Sequence, residues 1–282
     1  MLQPPPIVLS FAANDPTGGA GLQADLLTIA SMGCHPLSVM TAITVQDTTG
    51  VDDVMALDPE WIADQARAVL EDMPVHAFKI GLLGSVEIIA AIAEVISDYP
   101  HIPLVMDPVL TSGRGDELAN DEMIDAMREL LLPQVTILTP NSLEARHIAQ
   151  QDDDSSDNKL DLSLCAQRLL HMGCEYVLIT GTHENTAQVT NTLFAADGIV
   201  RADHWERLEH TYHGSGCTLA SAIAASLANG LSISESVLEA QDYTWHTLQA
   251  GFRPGMGQYI PNRLFWVRDV EDDHDHDHDE KS

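Results

Sequence analysis

Apolar and polar positions along the chain switch between a period of two and a period near 3.6. Ile7 to Ala12 is a mostly apolar run of strand length, closed by the turn formers Asn14-Asp15-Pro16-Thr17-Gly18-Gly19. Leu22, Leu26 and Ile29 then recur at helical spacing, with Asp25 on the same side. A carboxylate on that side is costly without a partner or a ligand, unless it sits at the stripe's edge and reaches water. Pro36 to Gln46 predicts a second strand, with Leu37, Val39, Thr41, Ile43 and Val45 on one face and Gln46 at its C-terminal end. Further on, helices are predicted over 59–72, 86–97, 121–131 and 162–172. Strands are predicted over 75–80, 103–106, 135–138 and 176–180. Runs near 189–195 and 199–207 predict a hairpin turning at Asp197-Gly198. Between them, the stretch 151–161 is acidic and polar, an exposed connection. A helix of small residues follows Cys217, and another starts at Ile233.

Regular alternation of strand and helix predicts an α/β fold, a three-layer αβα sandwich around a mostly parallel sheet. Such sheets bind ligands outside the carboxyl ends of their strands. Several polar signals fall there: Asp15 to Gly19, Gln46, Asp107, Asn141 with Glu144, and His213-Gly214-Ser215-Gly216-Cys217. Gln46 suits a polar ligand contact or a loop cap. The last stretch reads as a glycine turn feeding a helix. Unpartnered N–H groups and the helix dipole make such a turn an anion seat, and a thiol at its rim is expected to have a lowered pKa. The same five residues also fit a plain turn before a core helix with an inert cysteine. Asn141 and Glu144 stand three apart and can face one spot, where oxygen ligands suit a hydrated Mg²⁺. They equally fit a capping box at a helix start.

Composition narrows the class. The 282 residues are 45% hydrophobic, enough for a substantial core. Residues 1–266 are read as one domain and 267–282 as an acidic His/Asp tail, expected to be disordered, with at most weak metal binding. No apolar run reaches membrane-spanning length and no secretory leader is evident, so a cytoplasmic protein without a membrane partner is expected. Cys34, Cys165, Cys174 and Cys217 show no CxxC pairing and no disulfide framework. The formal net charge is −30, which argues against a nucleic-acid partner. The last fourteen residues carry −7 of it, so the domain itself is strongly acidic, as suits a salty cytosol.

Six ordered segments, NDPTGGAGLQADL, TAITVQDTTGV, KIGLLGS, MDPVL, LTPNSLEA and HGSGCTLASAIA, carry a specific likeness from about Ile7 to about Trp266. The chain resembles the hydroxymethylpyrimidine and phosphomethylpyrimidine kinases of thiamine biosynthesis, within the ribokinase-like superfamily. The resemblance implies ATP-dependent phosphorylation of the pyrimidine's hydroxymethyl group and then of the resulting monophosphate, with ATP and Mg²⁺ as cofactors and a homodimer as the assembly. By the same resemblance Asp25 and Gln46 contact the pyrimidine, and Ala13, Leu82 and Val109 line its pocket. Asn141, Glu144, Asp107 and Thr180 face ATP and its phosphates, with Glu144 and Asp107 toward Mg²⁺ through water. Gly214, Ser215 and Gly216 match the anion hole and Cys217 the base. Where relatives carry phosphate-facing lysines, this chain has Thr180-Gly181-Thr182 and Gln241, and Ala13 and Leu82 stand for a usual glycine and methionine. Two other readings fit the same motifs: a pyridoxal kinase of that family, and a catalytically weak pyrimidine-binding protein.

Overall fold

The order of apolar runs sets the order of layers. The computed structural model describes residues 4–112, 114–151, 154 and 160–267. The chain begins with β1 (Ile7–Ala12), α1 (Gly21–Ser31) and β2 (His35–Met40), followed by a hairpin of β3 (Ala42–Gln46) and β4 (Val51–Ala56). Next come α2 (Pro59–Asp72), β5 (Ala77–Ile80), α3 (Val86–Ser97), β6 (Leu104–Met106), α4 (Asp121–Ala126) and β7 (Ile137–Leu138). Then follow α5 (Ser142–Ala149), α6 (Leu162–His171), β8 (Tyr176–Ile179), β9 (Gln188–Ala195) and β10 (Gly198–Glu206). Two long helices, α7 (Ser215–Ala228) and α8 (Ile233–Gln249), close the fold.

Among the described residues, the strands other than β3 and β4 form one sheet in the order β10-β9-β8-β7-β6-β5-β1-β2. Neighbours from β2 to β8 are parallel, and β9 and β10 add an antiparallel edge. Helices cover both faces. Successive residues of β1 serve opposite layers, as strand alternation requires. Leu9 packs with Phe78, Ile62, Ile88 and Ile92 under α2 and α3, whereas Val8 packs with Ile29, Ala220, Ile223 and Val237 under α1, α7 and α8. Small residues along α7 let it lie close to the sheet: Ala220, Ala222, Ala224 and Ala225 are all fully buried.

Two expectations need correction. The run 36–46 is not one strand. After Met40 the chain leaves the main sheet, and Ala42–Gln46 pairs antiparallel with Val51–Ala56 in a separate two-stranded sheet. The buried face shifts phase at the crossing: Val39 and Thr41 are buried, then Ala42 and Thr44, while Ile43 and Val45 are exposed. Gln46 therefore ends a hairpin strand, not a central one. The helix predicted over 121–131 is regular only to Ala126. Over Met127–Leu131 it widens to π bonding, and a 3₁₀ turn at Leu132–Gln134 ends it, where Pro133 offers no N–H. Most of the 151–161 connection, and the tail after Val267, lie outside the described residues.

Candidate active site

Gly214 caps α7 in the left-handed region at φ +82°, a conformation that favours glycine. A Cβ there would overlap the carbonyl of Gly19, so two glycine turns touch backbone to backbone. One is the turn after β1, the other the turn before α7. No side chain caps the start of α7, which leaves its first N–H groups for a ligand or water. Two clamps hold the turns together. His213 Nε2 lies 2.8 Å from Asp15 Oδ2, and Asp15 also accepts from the Ala20 N–H and the Thr17 hydroxyl. Burial pushes the Asp15 carboxyl up, but the His213 bond and charge and the Thr17 bonds prevail and hold it below the usual range. From the C-terminal segment, the Arg263 guanidinium donates to the carbonyls of Gly18 and Gly19 and to the Thr218 hydroxyl.

Cys217 lies in the first turn of α7, half-buried. The Gly21 N–H and the Asp107 carboxylate lie close to its sulfur. Burial pushes the thiol up to about 12, against the pull of Lys79 and with Asp107 and Asp25 adding to the rise. The expected lowering at a helix N-terminus is thus overturned: partial dipole charge is outweighed by desolvation and two neighbouring acids. Burial likewise raises Asp107 to about 6, with Lys79 opposing.

Asp25 is fully buried, and its carboxylate is engaged within the protein. Lys79 Nζ stands 2.8 Å from Oδ1, and the Ser221 hydroxyl donates to the same oxygen at 2.7 Å. The costly position on α1 is thus resolved by a partner. Burial alone would pull Lys79 down, but Asp25, with Cys217 and Asp107, raises it on balance. Sequence reasoning passed over Lys79. Its signal was present: a single lysine in the otherwise apolar strand Ala77–Ile80, matched by a single acid on the apolar side of α1.

The remaining predicted residues line up along the carboxyl rim. Ala13, Leu82 and Val109 follow the adjacent strands β1, β5 and β6. Ala13 is buried, and Leu82 and Val109 are half-buried. Gln46 is half-buried at the end of β3, whose base is fixed by Thr44 bonding Asn14. Beyond Gln46, the hairpin turn is held from two sides: the Gly257 N–H donates to the Thr48 hydroxyl, and Arg114 packs under Gly50. Asn141 and Thr180 form a bridge between the ends of β7 and β8. Asn141 accepts from the N–H groups of Leu143 and Glu144, and Glu144 accepts from the Asn141 N–H, so the capping box is present. Glu144 is nonetheless buried, and burial together with the Asp107 charge raises its carboxyl to about 8. Two buried carboxylates facing one another suit a hard cation, yet no group of three His, Cys, Asp or Glu side chains fit for a metal occurs among the described residues. That donor set fits a metal held largely by water and ligand oxygens.

Gln241 is committed to the structure. Its side-chain oxygen accepts from Asn191 (2.8 Å) and Trp205 (3.0 Å), and its amide nitrogen donates to Asp203 (2.8 Å). Asn191 in turn accepts the Gly181 N–H beside Thr180. This amide is neutral; among the described residues the buried cations whose charge couples to the Cys217 sulfur are Lys79 and Arg263.

Comparison with known proteins identifies the family. The family described as phosphomethylpyrimidine kinase matches residues 15–262. A hydroxymethylpyrimidine/phosphomethylpyrimidine kinase of Streptomyces coelicolor is 39% identical over 258 residues, covering 90% of this chain and 92% of that relative. The crystal structure of a phosphomethylpyrimidine kinase from Clostridium difficile is 35% identical with a TM-score of 0.72, covering 85% of this chain and 97% of the other. The pyridoxal kinase of Staphylococcus aureus in complex with AMP-PCP and pyridoxal is 27% identical with a TM-score of 0.82, over 94% and 96% of the two chains.

Proposed function

The chain belongs to the phosphomethylpyrimidine kinase family, and on that premise we propose how its rim residues divide the work. It is a kinase of thiamine biosynthesis that phosphorylates hydroxymethylpyrimidine and then its monophosphate, with ATP as donor. One observation carries the assignment of roles: an uncapped helix start, Ser215 to Cys217, meets a second glycine turn beside a sulfur at the sheet's carboxyl rim.

In the first transfer the hydroxymethyl oxygen bonds the γ-phosphorus, the bond to ADP breaks, and the hydroxyl proton passes to the Cys217 sulfur in its thiolate form, the minor form at neutral pH, so this transfer quickens as pH rises. In the second, a phosphate oxygen attacks and has no proton to lose. Gly214, Ser215 and Gly216 hold the transferring group through main-chain N–H donors, which are worth most where charge develops. Ala13, Leu82 and Val109 wall the pyrimidine pocket. The Gln46 amide, both donor and acceptor, suits an aminopyrimidine edge. Asp25 acts from below, by fixing Lys79 near the sulfur. Asn141 and Thr180 face the ATP phosphates. Glu144 and Asp107 would hold hydrated Mg²⁺, which neutralises phosphate charge when bound.

The four free thiols suit a reducing cytoplasm. The domain reading of 1–266 stands as part of the proposal. So does a homodimer, supported by the exposed apolar residues Ile43, Val45 and Met55 on the hairpin. Fold likeness to pyridoxal kinases keeps that ring as the rival acceptor. A coupled ADP-release assay with each acceptor separates them. Hydroxymethylpyrimidine is expected to turn over and yield the diphosphate, with pyridoxal slower by at least about tenfold. A preference for pyridoxal, or tight binding of either ring without ADP release, would overturn the assignment.

A further inference from the structure

Arg263 is 3% exposed and lies directly behind the anion turn. Its Nε and Nη2 donate to Thr218 Oγ1, which itself donates to the Gly214 carbonyl at 2.8 Å. Nη1 and Nη2 also reach the carbonyls of Gly18 and Gly19, and Gly19 is the residue Gly214 touches. The segment is anchored from the far side by the Tyr243 hydroxyl on the Arg263 carbonyl and by the Asn262 N–H on the Thr247 carbonyl.

Every acceptor of this guanidinium is neutral. Among the described residues no carboxylate lies within ion-pair distance of it. The acidic groups whose charge reaches it are Cys217 and Tyr243, both held protonated at neutral pH by burial, and then Asp25 and Asp15, which have other partners in Lys79 and His213. A buried charge without a counterion is expensive, and a fold that keeps one gains when an anion arrives. The open N–H groups of α7 select where that anion sits.

We infer that Arg263 is a positioning residue for phosphoryl transfer: it sets the Gly214 turn through Thr218, and its buried charge is completed by the phosphate group held in that turn. The inference rests on the turn receiving phosphate, as proposed above. It also gives this chain a fixed cation at its phosphate site, with Thr180 and Gln241 both neutral.

The test compares Arg263→Lys, which keeps the charge, with Arg263→Met, which keeps much of the bulk. Two readouts are taken on the full chain: the rise in melting temperature caused by inorganic phosphate, and kcat against KM for the pyrimidine. Wild type and Arg263→Lys should both be stabilised by phosphate, with kcat within about threefold. Arg263→Met should lose the phosphate-induced rise and at least about tenfold in kcat, with KM for the pyrimidine unchanged. A methionine variant with the wild-type rise and kcat would overturn the inference, as would a lysine variant as damaged as the methionine one. Should the methionine variant not fold, the lysine variant decides alone: retention supports the role of charge, and loss overturns it. A wild-type chain stabilised by phosphate yet unable to transfer it from ATP would sink the kinase assignment and leave this inference standing.

Discussion

At the residue scale, the sulfur of Cys217 is governed by burial more than by its helix. A thiol raised to about 12 is protonated throughout the neutral range, so the thiolate fraction grows tenfold per pH unit up to that value. Alkylation of Cys217 by iodoacetamide should accordingly be slow at pH 7 and keep rising to at least pH 10. A rate that levels off between pH 7 and 8 would mean the sulfur is already ionised there. The sequence supported the identity of this residue, since glycines, a serine and a cysteine before small residues form a readable turn and helix start. Its ionisation was not legible, because Lys79, Asp107 and Asp25 arrive from three other elements and meet the sulfur only in the fold. Asp25 was legible as an anomaly on the apolar side of α1, although the partner that resolves it lies 54 positions away. Arg263 left no such mark: it sits in a segment of mixed polarity after the last long helix.

At the element scale, the alternating runs and turn residues placed nearly every strand and helix, and helices 59–72 and 86–97 have the bounds that periodicity predicts. The β3–β4 hairpin escaped. Both β2 and β3 have a period of two, so nothing in the alternation marks the crossing between sheets. Asp52 and Asp53 lower the apparent strand character of β4. That hairpin now explains an otherwise odd surface. Ile43 stands opposite Met55, and with Val45 they leave an exposed apolar patch over the rim. If the homodimer is built on this patch, Val45→Glu should shift sedimentation from dimer to monomer while leaving far-UV circular dichroism unchanged. A dimer that persists at the same concentration would move the interface elsewhere.

At the scale of the whole molecule, a charge of −30 on 282 residues sets up strong self-repulsion in dilute buffer. At molar salt the screening length falls to about 3 Å, so repulsion between surface acids largely vanishes. Melting temperature should therefore rise steadily from about 0.05 M to about 2 M KCl. Equal or lower stability in high salt would reject adaptation to a salty interior. Within that acidic shell, Lys79 and Arg263 are buried beside the sulfur, so positive charge gathers where phosphate would come. At that spot the two transfers differ in their need for a base. Cys217→Ala should slow the first transfer, onto hydroxymethylpyrimidine, by about a hundredfold or more, because it removes a base. The second transfer, onto the monophosphate, should stay within about threefold of wild type. Measuring the two rates on the same preparation decides the matter, and a similar loss in both, or in neither, would contradict it.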